Sequence, residues 1–219
     1  MRILTVVLSA AVLATPAAAQ SVDATINRAV EAWENVKTVR GTFEQTVSNQ
    51  LTGATASAKG KFVQEKPNRL AIRFSDPSSD AIVADGKFVW VYLPSSVPGQ
   101  VVKKPGADRS AVPVDLAGQF LDAPRTKYDI ASAAARTVDG HATHGLLLVA
   151  RKGSAVPVVR ATVWIDDDDS LIREFESTEA SGVTRHVKLT GVEINGPVTD
   201  ADFAFTPPRG VKVVDQTKL

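Results

Sequence analysis

Six strand-length segments follow one another between residues 42 and 104, at about 42–48, 56–64, 69–75, 80–84, 87–93 and 99–104. Only turn residues separate them, and no helical periodicity intervenes. After an interruption at 105–125 the β pattern resumes at about 127–132, 144–151, 157–165, 171–178 and 183–195. Pro207-Pro208 then blocks regular structure before a last short strand at 211–215. Strands in long runs that do not alternate with helices argue against a parallel α/β sheet. They predict a mainly β (α+β) fold built on a large antiparallel sheet or an open barrel.

Within this frame the segments differ in which faces they expect to bury. In NRLAIRFS, Leu70, Ile72 and Phe74 share one face, and Arg69, Arg73 and Ser75 share the other, as in a strand with one dry and one wet side. The stretch DGKFVWVYLP, residues 85–94, has two apolar faces instead. Phe88, Trp90 and Tyr92 point one way, and Val89, Val91 and Leu93 the other. Asp85-Gly86 is a hairpin signal, and Asp139-Gly140 and the Asp166–Asp169 run read as turns. In RHVKLTGVEI the apolar parity switches across Thr190-Gly191, which predicts a β-bulge at Gly191.

Two helices are expected. In SVDATINRAVEAWENVKTV, Ile26, Val30, Trp33 and Val36 recur at helical spacing, with Ser21 as N-cap and Asp23 in the first turn. Residues 113–121 suit a short helix with Pro113 at its first position. Gly118 weakens it by about 1 kcal/mol relative to Ala, so it depends on docking Leu116 and Phe120.

The N-terminus reads as a signal peptide over residues 1–19. Arg2, an apolar run from Ile3 to Leu13 and the triplet Ala17-Ala18-Ala19 stand in the order of charged region, apolar region and cleavage site. The run is shorter than the roughly 20 residues a membrane span requires. Residues 20–219 are then one domain, exported and soluble. The sequence contains no cysteine, so disulfides, thiolate metal sites and a lipidated N-terminal Cys are excluded. The chain has 25 Lys+Arg and 24 Asp+Glu, and loss of Arg2 with the signal leaves 24 of each. That balance gives no electrostatic case for nucleic acid.

Catalytic and metal-binding patterns are sparse. His141 and His144 stand three apart on a loop just after the Asp139-Gly140 turn, without cysteines or a nearby carboxylate cluster, a poor zinc site. His186 shares a wet face with Lys188, and Asp166–Asp169 lacks the spacing of an EF-hand loop. Nucleophile-elbow, phosphate-loop, dinucleotide and metalloprotease motifs do not occur. The expectation is a protein that is not an enzyme and carries no cofactor and no metal. A Ser-His-Asp triad with members distant in sequence stays open as an exported hydrolase. The apolar strand residues fit either a packed core or a hollow apolar site.

Taken in order, several segments resemble the LolA family of periplasmic outer-membrane lipoprotein carriers. These are Gly41-Thr42-Phe43-Glu44-Gln45, Gly60-Lys61-Phe62, Lys66-Pro67, Leu70–Phe74 with Pro77, Ile82-Val83-Ala84-Asp85-Gly86, Trp90-x-Tyr92-x-Pro94, Gln100-Val101 and Phe203-x-Phe205-x-Pro207-Pro208-x-Gly210-Val211. The resemblance spans essentially the whole mature chain. It implies an unclosed half-barrel with helices lidding its concave face, and a cavity that holds the acyl chains of a lipoprotein. It also implies a monomeric carrier that receives cargo from an inner-membrane ABC-type complex and delivers it to an outer-membrane lipoprotein receptor. The cavity residues it points to are Phe43, Phe62, Leu70, Ile72, Phe74, Phe88, Trp90 and Tyr92, closed over by Leu116 and Phe120. Val89, Val91 and Leu93 would then lie on the convex side, with Ser95–Gly99 the nearest cover.

The chain departs from the family pattern in three places. A lid latch falls at position 66, where this chain has Lys instead of the family's usual Arg, and an ammonium lacks the planar fork of a guanidinium. Leu70 and Ile72 are aliphatic where the family is often aromatic, and residues 95–99 lack its aspartate-containing turn. A sensor of the same fold that binds lipoproteins without transferring them is the alternative to a carrier.

Overall fold

The computed structural model describes residues 17–106 and 116–217, with side chains from Val22 onward. Helix α1 (Ala17–Glu34) leads into β1 (Thr38–Asn49), β2 (Thr55–Glu65), β3 (Arg69–Asp76), β4 (Ser78–Asp85), β5 (Phe88–Tyr92) and β6 (Gln100–Pro105). The short helices α2 (Gly118–Leu121) and α3 (Pro124–Lys127) follow. Then come β7 (Tyr128–Val138), β8 (His141–Ala150), β9 (Val158–Asp166), β10 (Ile172–Glu179), β11 (Val183–Ile194), a 3-10 turn at Asp200–Phe203 and β12 (Lys212–Asp215).

All twelve strands belong to one sheet, in the order β12-β6-β5-β4-β3-β2-β1-β11-β10-β9-β8-β7. Every pairing is antiparallel except that of β12 with β6. The end strands β12 and β7 are not paired with each other, so the sheet is the unclosed half-barrel the sequence leads one to expect. Near its middle is the β1–β11 contact, which joins residues as far apart in the chain as Val39 and Ile194, while most other neighbours are simple hairpins.

The local expectations hold with adjustments to one hairpin and to the start of α1. The parity switch in β11 is a bulge: Arg40 pairs with Glu193 but Thr42 with Thr190, which leaves one extra residue on β11. Gly191 there has φ +56, a conformation glycine adopts without strain. The hairpin between β7 and β8 is longer than predicted and runs up to the Asp139-Gly140 turn, so His141 and His144 lie on a strand and not in a loop. Helix α1 already includes Ala17–Gln20, which are good helix formers; Ser21 is therefore inside the helix and not its cap. Residues 113–115 of the predicted middle helix, and residues 1–16 of the predicted signal peptide, lie outside the described residues.

Side chains on opposite faces of the sheet build two separate cores. On the inner face, Phe43, Phe62, Leu70, Leu146, Leu148, Val163, Phe175, Val187 and Leu189 are buried beneath Ile26, Ala29 and Trp33 of α1 and Phe120 and Leu121 of α2. Ala29 takes the place expected of Val30, which is only partly buried. On the outer face, a smaller cluster of Ala71, Val83 and Phe203 is flanked by Val63, Trp90, Val198 and Phe205. It is made by the segment after β11, which crosses the back of the sheet. Arg69 holds that segment by stacking 4.4 Å over the Phe203 ring and donating to Asp200 at 2.6 Å. Arg73 donates to the Ala204 carbonyl at 3.0 Å, and Thr38 to that of Gly196 at 2.7 Å.

Candidate inner-face binding site

Register fixes which strand residues share the inner face. Phe62 pairs with Ile72, Gly60 with Phe74 and Leu70 with Ala84, so one row of β2, β3 and β4 points under the helices. Phe43 on β1 lies opposite Gly60. Its ring meets that of Phe74 edge-on at 5.4 Å, a favoured aromatic geometry. Gly60 is small for a reason: a Cβ there would sit 2.3 Å from the Arg73 carbonyl oxygen. Phe43, Phe62, Leu70 and Ile72 are buried, and Phe74 is partly buried against the same cluster.

The aromatics of β5 lie on the other side. Ile82 pairs with Val91 and Ala84 with Val89, which puts the valines on the inner face. Val83 pairs with Trp90 and Ala81 with Tyr92, which puts the aromatics on the outer face. Phe88, Trp90 and Tyr92 therefore do not line the inner cavity, and Val89 and Val91 do not face outward beneath Ser95–Gly99. Phe205 is the cover: its ring centroid lies 5.7 Å from that of Trp90 and 6.0 Å from that of Tyr92. Phe88 packs edge-on against Trp90 at 6.3 Å, and Lys103 sits 3.8 Å over the Phe88 ring.

Asp85 anchors this arrangement. It accepts from the backbone N–H groups of Lys87 and Phe88 at 2.8 and 2.7 Å and from the Trp90 indole at 3.0 Å. Burial pushes its carboxyl up, but these three donors and Lys103 outweigh that and hold it below the ordinary value. A strand apolar on both faces does not say which face meets the helices; pairing with β4 and the distant Phe205 decide it.

The closing elements fit their residues tightly. Phe120 is completely buried, with its ring 5.0 Å from that of Phe175 on β10, and Leu116 is partly buried beside it. Lys66, just beyond β2, donates from Nζ to the Trp33 carbonyl near the end of α1 and lies 4.3 Å over the Trp33 ring. Helix α1 is tied at its other end by Arg125, which reaches Asp23 at 2.6 Å and Asn27 at 2.7 Å.

Beneath these elements, among the described residues, lies a cavity of about 20 Å³, lined by Trp33, Phe62, Gln64, Leu116, Leu171 and Leu189 among others. That is about the room one water needs and far below the ~300–1,000 Å³ of a ligand pocket. The inner face is thus apolar, continuous and closed in this state. Residues of β8–β11 that line it escaped the site prediction, although the alternation in 144–151 and 157–165 carried the signal. Trp33 escaped as well, because a helix stripe alone does not say what it covers.

The polar clusters lie elsewhere. His141 Nδ1 is 2.7 Å from Asp166, His144 is paired with Asp167, and His186 with Glu174. The buried Arg173 donates to Asp166 at 2.8 Å. Burial raises the Asp166 carboxyl, but the Asp168 N–H, Arg173 and His141 together bring it below its usual range. Among the described residues no group of three or more His, Cys, Asp or Glu gathers as a metal site, and no helix is long and apolar enough to cross a membrane.

Comparison with known proteins agrees with this architecture. The family model described as "Outer membrane lipoprotein carrier protein LolA" matches residues 34–206. An outer-membrane lipoprotein carrier protein of Methylibium petroleiphilum is 28% identical over 183 residues, covering 83% of this chain and 84% of its own. One from Sodalis glossinidius is 26% identical over 215 residues, covering 98% of each. Among solved structures, an uncharacterized conserved protein of Thermus thermophilus covers 90% of this chain and 100% of its own, with a TM-score of 0.52 at 14% identity. MucB in the Pseudomonas aeruginosa MucA/MucB complex covers 89% of this chain and 63% of its own, with a TM-score of 0.50 at 16% identity. With a family match over more than three quarters of its length, the chain belongs to the LolA family of outer membrane lipoprotein carrier proteins.

Proposed function

We propose that this protein is a periplasmic chaperone that shelters the acyl chains of lipoproteins against its inner sheet face and carries them from the inner to the outer membrane. The observation that carries the reading is an extended apolar face, spread over most of the strands, whose cover among the described residues is the long helix α1 and the short helix α2 rather than a second sheet. Burial gains roughly 0.8 kcal/mol per CH₂, so an acyl chain displacing Phe120, Leu121 and Leu116 recovers the contacts they lose. Phe43, Phe62, Leu70, Ile72 and Phe74 form the floor of this site, and Phe120 with Leu116 its plug. Lys66 acts as the latch: its ammonium, bonded to the Trp33 carbonyl and lying over the Trp33 ring, helps hold α1 down and can let go without unfolding the sheet.

In this role the chain is a binding protein and not an enzyme. The names of its relatives, outer-membrane lipoprotein carrier proteins, support lipoprotein cargo; the reading extends to an inner-membrane ABC-type complex as donor and an outer-membrane lipoprotein receptor as acceptor. The test is displacement of an apolar fluorophore by a diacylated lipopeptide, followed by transfer to acceptor membranes. Uptake by the native protein and its loss in Leu70→Glu are expected. If the native protein takes up neither probe, the reading fails. A sensor role is the second reading, favoured by the neighbour MucB, whose structure was solved in complex with the protein MucA. A sensor would bind the lipopeptide and not deliver it.

A further inference from the structure

Among the described residues lining the closed inner cavity, Gln64 carries the only carboxamide. It sits on the inner face of β2 between Val39 of β1 and Leu70 of β3, and only 3% of its surface is exposed. Its Oε1 is buried and has no hydrogen-bond partner among the described residues. Most buried polar side-chain atoms in folded proteins are partnered. Burying an amide oxygen without a donor is unfavourable, and Leu or Met would fill the same slot without that loss. Trp33, Phe62, Leu116, Leu171 and Leu189 around it offer no side-chain group that could reach it except the Trp33 indole, and the indole is not its partner.

We infer that Gln64 is a specificity residue that selects acyl cargo carrying an N–H or O–H donor beside the chain, as in an amide-linked fatty acyl group. The inference rests on the proposed carrier function. A carboxamide oxygen accepts hydrogen bonds and cannot donate them. An ester-linked acyl group presents only acceptors to it, whereas an amide-linked one presents one N–H. Lys66 lies two residues further on and grips Trp33, another member of the same lining. Gln64 is the penultimate residue of β2, so its carboxamide stands at one end of the inner face near the close of α1, where a cargo's head would lie if its chains ran along that face. A site built to hydrogen-bond a ligand N–H discriminates strongly against an analogue that lacks it.

The test uses a matched pair that differs in one atom group. N-hexadecanoylglycine methyl ester and the hexadecanoyl ester of methyl glycolate are compared as displacers of an apolar fluorophore. The native protein is expected to bind the amide about tenfold more tightly, which corresponds to ~1.4 kcal/mol. Gln64→Met is expected to bring the amide down to the level of the ester, so that the ratio of the two affinities falls from about ten to about one. Gln64→Leu is measured alongside in case the methionine variant does not fold. Equal binding of the two by the native protein, or tighter binding of the ester, overturns the assignment while leaving the carrier function standing. So does a preference that survives in the variants. Binding of neither analogue by the native protein overturns both.

Discussion

Phe120 contributes to the closed state in a way that should separate stability from cargo affinity. Its side chain is completely buried in α2 and meets Phe175 of β10 at 5.0 Å between ring centroids. Phe120→Ala removes a buried ring and leaves a cavity, a change that typically destabilises by about 3–5 kcal/mol. In a domain of roughly 200 residues each kcal/mol shifts Tm by ~2–4 °C, so the variant should melt about 6–20 °C below the native protein. Were Phe120 an ordinary core residue, that loss would appear with and without ligand. In the proposed mechanism an acyl chain takes the place of the Phe120 ring, and the bound state has already lost the contact. The variant then destabilises only the empty protein, and cargo affinity rises by as much as about 100-fold for a 3 kcal/mol difference. Thermal melts followed by circular dichroism give the first quantity, and fluorophore titration with lipopeptide displacement gives the second. A lower Tm with unchanged or weaker cargo binding would refute the idea that α2 is the displaceable plug.

Three further outcomes are expected. Lys66→Met should lower stability by about 1–3 kcal/mol, through the charged hydrogen bond to the Trp33 carbonyl and the contact with its ring. Thermal melts check this, and Lys66→Arg should retain most of the native value. Phe205→Ala should destabilise by roughly 3 kcal/mol or less, since the site is half open. It should also shift Trp90 emission toward that of a wetter indole and leave acyl-probe binding within about twofold, because the outer aromatics do not touch the inner cavity. Asp85 and Asp166 both titrate below the ordinary carboxylate value of 3.8 in the folded protein. The stability they add is fully present above that pH and is lost as pH falls through their lower folded values. The Tm gap between native protein and Asp85→Asn should therefore narrow below about pH 4, and a gap independent of pH down to 2 would contradict the assigned hydrogen bonds.

Much of the inner floor could be read directly. In β3 the alternation of Leu70, Ile72 and Phe74 with Arg69, Arg73 and Ser75 states which side is dry, and the structure buries that side. The bulge at Gly191 was legible because the apolar parity changed there, and a one-residue insertion is the only local way to keep both halves of β11 on the same core. The middle helix was legible as one too weak to stand without Leu116 and Phe120, and among the described residues only Gly118–Leu121 of it is helical. Gln64 was not, since a lone polar residue in a strand carries no mark of its burial.

Sequence alone determined the class of fold, the span of most strands and the family. Each of these follows from local periodicity, turn chemistry and ordered motifs, which are properties of neighbouring residues. Tertiary structure alone decided which face of β5 is inner. Phe88-Val89-Trp90-Val91-Tyr92 is apolar in both parities, so its own pattern is degenerate. The choice came from the Val83–Trp90 pairing and from Phe205, more than a hundred residues away, crossing the back of the sheet. Tertiary structure also decided how full the inner face is. Packing under α1 and α2 depends on side chains from nearly every element converging at one place, and no local stretch of sequence records that convergence.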